Sequence, residues 1–60
     1  MTTLRELRRK NTLSQRDLAK LSGVALSTIT LIETGKHKAQ FVTLRKLAKA
    51  LNVEPSQIDF

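Results

Sequence analysis

The chain has no cysteine, tryptophan or tyrosine, a single histidine, one proline, two glycines and two phenylalanines in sixty residues. Without cysteine, neither a disulfide nor a thiolate metal site can brace it, which suits a reducing cytoplasm. His37 has no second histidine or cysteine with which to share a metal, so it reads as a loop residue or a supplementary backbone contact rather than a ligand. Five dispersed acids and that one histidine leave no nucleophile–base constellation, and no glycine-rich phosphate loop occurs. A helical domain this small also has little volume for a substrate pocket. The expectation is a non-enzyme without cofactor. Apolar runs fall far short of the ~20 residues of a membrane span, and Arg5, Arg8, Arg9 and Lys10 interrupt any signal-peptide pattern near the start.

What remains is short, helical and basic. Scarce aromatics point to a core built from leucine, and few glycines and prolines leave little room for long loops. Residues 1–60 form one domain, and a chain of this length buries only about 60% of its unfolded surface. By per-residue scaling its stability is roughly 3–9 kcal/mol. Eleven Lys and Arg against five Asp and Glu give a net charge of +6. So strong a field attracts nucleic acid or an anionic membrane surface, although charge alone also serves solubility.

The most informative stretch is SQRDLAKLSGVALSTITLIETG, residues 14–35. Ser14 is placed to cap a helix, with Asp17 three residues on completing a capping-box pattern. Leu18, Ala19 and Leu21 are expected on its inward side. Gly23 supplies the positive φ of a tight turn, and Val24 follows as an apolar plug. A second helix from Ala25 to Thr34 puts Ile29 and Ile32 on one face, while Ser27, Thr30, Leu31 and Thr34 project the other way. An outer face with short hydroxyls and no charge is poorly suited to solvent alone and well suited to a groove.

The segments LSQRDLA, SGV, STI and IETG, spaced through Gln15, Ala19, Gly23, Ile29 and Glu33, resemble the lambda-repressor-like (Cro/cI-type, XRE) helix-turn-helix family. The likeness runs from Leu4 to Ile58. It implies an all-α, five-helix domain whose third helix enters the DNA major groove, dimers on a palindromic operator, and a bacterial or phage regulator acting at the nucleoid. It also implies that Arg8 and Glu33, each at the edge of an apolar face, form a partly buried ion pair that fixes how the first helix crosses the third.

Outside that core, Thr2 or Thr3 can cap a first helix lasting to about Lys10, with Leu4 and Leu7 buried. Asn11 is placed to end it in a left-handed conformation, and Leu13 enters the core. A fourth helix over Phe41 to Leu51 buries Phe41, Leu44, Leu47, Ala48 and Leu51 at three-and-four spacing. Its outer side carries Arg45, Lys46 and Lys49, which read as a solvated face in preference to a second DNA-facing patch. Asn52 ends this helix in the left-handed region, Val53 folds back, Pro55 starts a last short turn and Ile58 closes the core.

DNA binding divides into phosphate contacts, which supply affinity and orientation, and base contacts, which supply sequence choice. Gln15, Arg16, Lys36 and Lys38 are the candidates for the first task, Gln15 because it starts a helix whose free N–H groups suit a phosphate. For base reading the resemblance implies Leu26, Ser27, Thr28, Thr30 and Leu31. No Arg, Lys, Gln or Asn lies between Ala25 and Thr34, so bidentate readout of guanine or adenine is not available. Contact with thymine methyl groups and hydroxyl bonds remain. Ala25 replaces the Ser or Thr usual as cap at this position, and Ala39 and Gln40 replace the usual proline and hydroxyl residue before the fourth helix. Val53, Ile58 and Phe60, helped by the loop before Phe41, are the candidate dimer surface. The competing readings are the antitoxin of a toxin–antitoxin pair and a helix-turn-helix used only for protein partners, since exposed leucine also marks protein interfaces.

Overall fold

Each helix begins and ends where local chemistry can satisfy its free backbone groups. The computed structural model describes residues 2–36 and 38–59, with backbone alone at 2 and 59. Thr3 caps α1 (Leu4–Lys10), its hydroxyl accepting from the Glu6 N–H at 3.2 Å. Ser14 caps α2 (Gln15–Ser22) in a full capping box: Asp17 N–H donates to Ser14 Oγ, and Ser14 N–H donates to Asp17 Oδ2, both at 3.0 Å. α3 (Leu26–Glu33) and α4 (Phe41–Ala50) follow; neither Ala25 nor Gln40 makes a side-chain cap.

Four chain reversals use a left-handed residue. After α1, α3 and α4 the backbone closes in the same double-bonded way, seen at the first as Thr12 N–H to Arg9 O and Leu13 N–H to Arg8 O. Gly23 ends α2 at φ 73°, and Ser22 reinforces that turn, donating to Leu18 O at 2.6 Å and accepting from Val24 N–H. The left-handed residue after α1 is Thr12, not Asn11, which sits at φ −88° and donates from its amide to Leu7 O at 2.8 Å. This closure needs positive φ one position beyond the cap. Asn52, at φ 58°, occupies that position after α4.

α2 packs against both α3 and α4, and α1 lies across α3. Leu4 and Leu7 meet Leu18, Ile29, Leu47 and Leu51 in the centre, with Val24, Ile32, Ala48 and Ile58 completing the core. Three expected core residues stand outside it. Leu44 is only half-buried and does not join the cluster. Leu21 is 62% exposed, because the buried side of α2 runs through Leu18 and Ala19 toward Ser22. Phe41 is 83% exposed: it shares the stripe of α4 but opens the helix, beyond the reach of the neighbours that cover Leu47.

The described residues form four α-helices. Where a fifth was expected, one turn of 3-10 helix (Pro55–Gln57) intervenes before the backbone extends. That extension, β2 (Ile58–Asp59), pairs in parallel with β1 (Thr2–Thr3), Thr2 opposite Ile58 and Thr3 opposite Asp59. Two residues cannot pair as a strand and also continue a helix, so the last helix stops at a single turn. Among the described residues no helix is long and apolar enough to cross a membrane.

Candidate nucleic-acid interface

α3 is anchored by Ile29, fully buried, and Ile32, which seat its inner side on the core. Its outer side exposes Ser27, Thr30, Leu31 and Thr34, with Leu26 at the leading end. Thr28 is half-buried and lies at the margin of that surface. Among the described residues this face carries no charge, and Arg16, Lys36 and Lys38 are exposed on the segments before and after it.

The tilt of α3 is held by one ion pair. Arg8 Nε donates to Glu33 Oε2 at 2.7 Å and Arg8 Nη2 to Glu33 Oε1 at 3.0 Å, with side chains only 12% and 3% exposed. The third guanidinium nitrogen, Nη1, donates to Leu13 O at 2.8 Å. Such a fork is the strong form of the interaction. The bond to Glu33 raises the affinity of Arg8 for its proton against the opposing effect of burial. Burial is the largest influence on Glu33 and pushes its pKa up. Hydrogen bonds from Arg8 and Gln15, with the fields of Arg8 and Arg5, outweigh it and hold the carboxyl below its ordinary range.

Gln15 joins the two candidate sets. Half-buried at the start of α2, it donates from Nε2 to Glu33 Oε1 at 3.1 Å, while Thr30 Oγ1 donates to Gln15 Oε1 at 3.0 Å. A side-chain amide at the start of α2 can be expected to touch α3, but local patterning does not name its partners, which lie 15 and 18 residues away. It ties the first turn of α2 to the outer face of α3. The roles of Ser22 in the turn and of the Leu13 carbonyl were missed; a serine directly before Gly23 was the available hint for the former.

The candidate dimer surface needs correction. Ile58 is 3% exposed and belongs to the core, so it is not free to meet a second chain, and Val53 is half-buried against that core. Phe60 and His37 lie outside the described residues. Among the described residues the large exposed apolar side chains are instead Leu21, Leu26, Leu31, Phe41 and Val42. Arg45, Lys46 and Lys49 are exposed on α4.

Comparison with known proteins gives two findings. Residues 4–58 match the helix-turn-helix family. The chain is also similar to the restriction-modification controller protein C.AhdI from Aeromonas hydrophila, whose crystal structure superposes with a TM-score of 0.86. The two are 44% identical over 90% of this chain and 82% of that one. No curated protein matches the chain.

Proposed function

Because the chain belongs to the helix-turn-helix family and is a DNA-binding transcriptional regulator, we propose that it represses by occupying a palindromic operator as a two-fold dimer. Leu26, Ser27, Thr30 and Leu31 read bases in the major groove, with Thr28 at the edge. Gln15, Arg16, Lys36 and Lys38 hold phosphates. The observation that carries this reading is the uncharged, exposed outer side of α3 flanked by exposed cations. Leu26 and Leu31 are suited to thymine methyl groups, so half-sites carry thymines there and discrimination is modest. The setting is the cytoplasm of a bacterium or of a phage-infected cell.

Titration of an operator duplex at several salt concentrations tests the electrostatic half. With about four phosphates neutralised per subunit, log affinity falls against log salt with a slope of roughly −7 for the dimer. Lys38→Ala weakens all sequences alike and reduces the slope, whereas Leu31→Ala changes preference between sequences. A flat salt response would refute the proposal and favour a module for protein partners.

Phe41 and Val42 supply the surface for the second copy. An aromatic side chain buries about 150–250 Å², far below the ~800 Å² per partner of a stable complex. Self-association is therefore weak in free solution and completed on DNA, where two half-sites one helical turn apart bring the copies together. Sedimentation should show mainly monomer without DNA and two copies on an operator, and Phe41→Ser should remove the second. One copy on a full palindrome would exclude the dimer.

The likeness to a restriction-modification controller favours a narrower second reading, control of a restriction-modification gene set. Protection of a promoter upstream of such genes by the purified chain tests it.

A further inference from the structure

The hydrogen-bond chain behind α3 has a fixed direction. Glu33 can only accept, so the Gln15 side chain must present its NH2 to Oε1 of Glu33, as it does at 3.1 Å. Its carbonyl oxygen then faces Thr30, whose hydroxyl donates to it at 3.0 Å and also lies 3.2 Å from Leu26 O. A flipped amide would set Gln15 Oε1 against the carboxylate, and the doubly bonded Arg8 fork keeps that carboxylate ionised and in place. A hydroxyl has one proton. With that proton directed inward, Thr30 turns only lone pairs and a methyl group outward.

We infer that Thr30 is a specificity-determining residue that reads DNA as a hydrogen-bond acceptor only, with Gln15, oriented by Glu33, as its positioning residue. In the major groove the exocyclic amines of adenine (N6) and cytosine (N4) are donors, whereas guanine O6 and N7 and thymine O4 are acceptors. The base facing Thr30 is therefore adenine or cytosine, and guanine or thymine there leaves two acceptors opposed. Thr34 is set the same way, its hydroxyl donating to Thr30 O at 3.0 Å and Leu31 O at 3.1 Å. The inference rests on the reading of α3 as the base-contacting helix.

The test is selection from a random duplex pool with the wild-type chain, Thr30→Val, Thr30→Ser and Gln15→Leu, followed by anisotropy titrations of single-position duplexes. Thr30→Val keeps the shape and removes the lone pairs, so the half-site position whose base frequencies change marks the base that Thr30 faces. The expected result is adenine or cytosine at that position for the wild type, about fivefold over guanine or thymine. Thr30→Val loses that preference and Thr30→Ser retains it. Gln15→Leu lowers affinity for every duplex and, separately, relaxes the preference at that position while the ratios at other positions hold. Guanine or thymine at the marked position, or no position that responds to Thr30→Val, overturns the role of Thr30. An unchanged preference in Gln15→Leu overturns the role of Gln15. A wild-type selection that enriches no duplex overturns the DNA reading itself, a result distinct from the others.

Discussion

α2 and α3 have the same length, eight residues each, and are held in opposite ways. α2 carries its own instructions: a complete capping box at one end, a left-handed glycine at the other, and good helix formers such as Arg16, Leu18, Ala19 and Lys20 between them. α3 has no side-chain cap, no acid in its first turn and no base in its last. Its sequence is crowded with β-branched Thr28, Ile29, Thr30 and Ile32, which favour helix less. Its helicity comes from elsewhere, through two buried isoleucines and contacts donated by Arg8 and Gln15. A helix whose outer surface is reserved for a partner carries few residues that would stabilise it alone, and its neighbours supply the rest.

The largest expected effect attacks α3 through the neighbour that fixes it. Arg8→Ala leaves the nearly buried Glu33 without its cation, a loss of ~3–5 kcal/mol against a total of roughly 3–9. Urea melts followed by far-ultraviolet circular dichroism should show a chain close to unfolding, whereas Lys20→Ala on the exposed side of α2 should stay within ~0.5 kcal/mol of wild type. Equal effects would erase the contrast between the helices.

Acid acts on the same pair more gradually. The Glu33 carboxyl titrates below its ordinary value of 4.5, so its contribution is complete above that value and is lost as pH falls through the folded-state value. Asp17 follows the same sign, its pKa lowered chiefly by the hydrogen bond from the Ser14 backbone and then by the Ser14 side chain. Melting temperature should be flat from neutral pH to about 5 and then decline with further acidification. Stability that rose on acidification would contradict the pairing.

Exchanging the caps sharpens the comparison directly. Ser14→Ala should cost ~1 kcal/mol, and Ala25→Ser should recover ~0.5–1, since the backbone at 25 already has the extended conformation of a cap (φ −59°, ψ 141°). Smallest is Thr12→Gly. A β-branched residue at φ 58° is strained by ~1–2 kcal/mol, and the greater freedom of glycine in the unfolded chain offsets part of that. A gain of about 0.5–1 kcal/mol in denaturant midpoint experiments is expected; a loss would mean that Thr12 contributes something beyond its backbone.

The same division explains what could be read in advance. Both ends of α2 were legible because Ser14, Asp17 and Gly23 are local signals three to nine residues apart. Asn11 drew the left-handed position one residue early because amide side chains favour it, and the geometry of the reversal decided otherwise. Periodicity placed Phe41 and Leu21 inside, yet periodicity knows neither where a helix begins relative to its neighbours nor how wide its covered stripe is. The last short turn at Pro55 was legible, but the extension after it was not, because Ile58 and Asp59 pair with residues at the opposite end of the chain. In the candidate site, the exposed residues of α3 follow from the helical wheel, but the bond between Gln15 and Thr30 arises only when separate helices pack.

Arg8 touches three segments at once: it projects from α1, binds the carbonyl of Leu13 at the junction to α2, and grips Glu33 at the end of α3. A seven-residue helix does not persist alone in water, and here it cannot fray without releasing the last turn of α3. Amide hydrogens of these two helices should therefore exchange with solvent as one cooperative unit, at a common opening free energy. Motion at the far side of the molecule is thereby transmitted to α3.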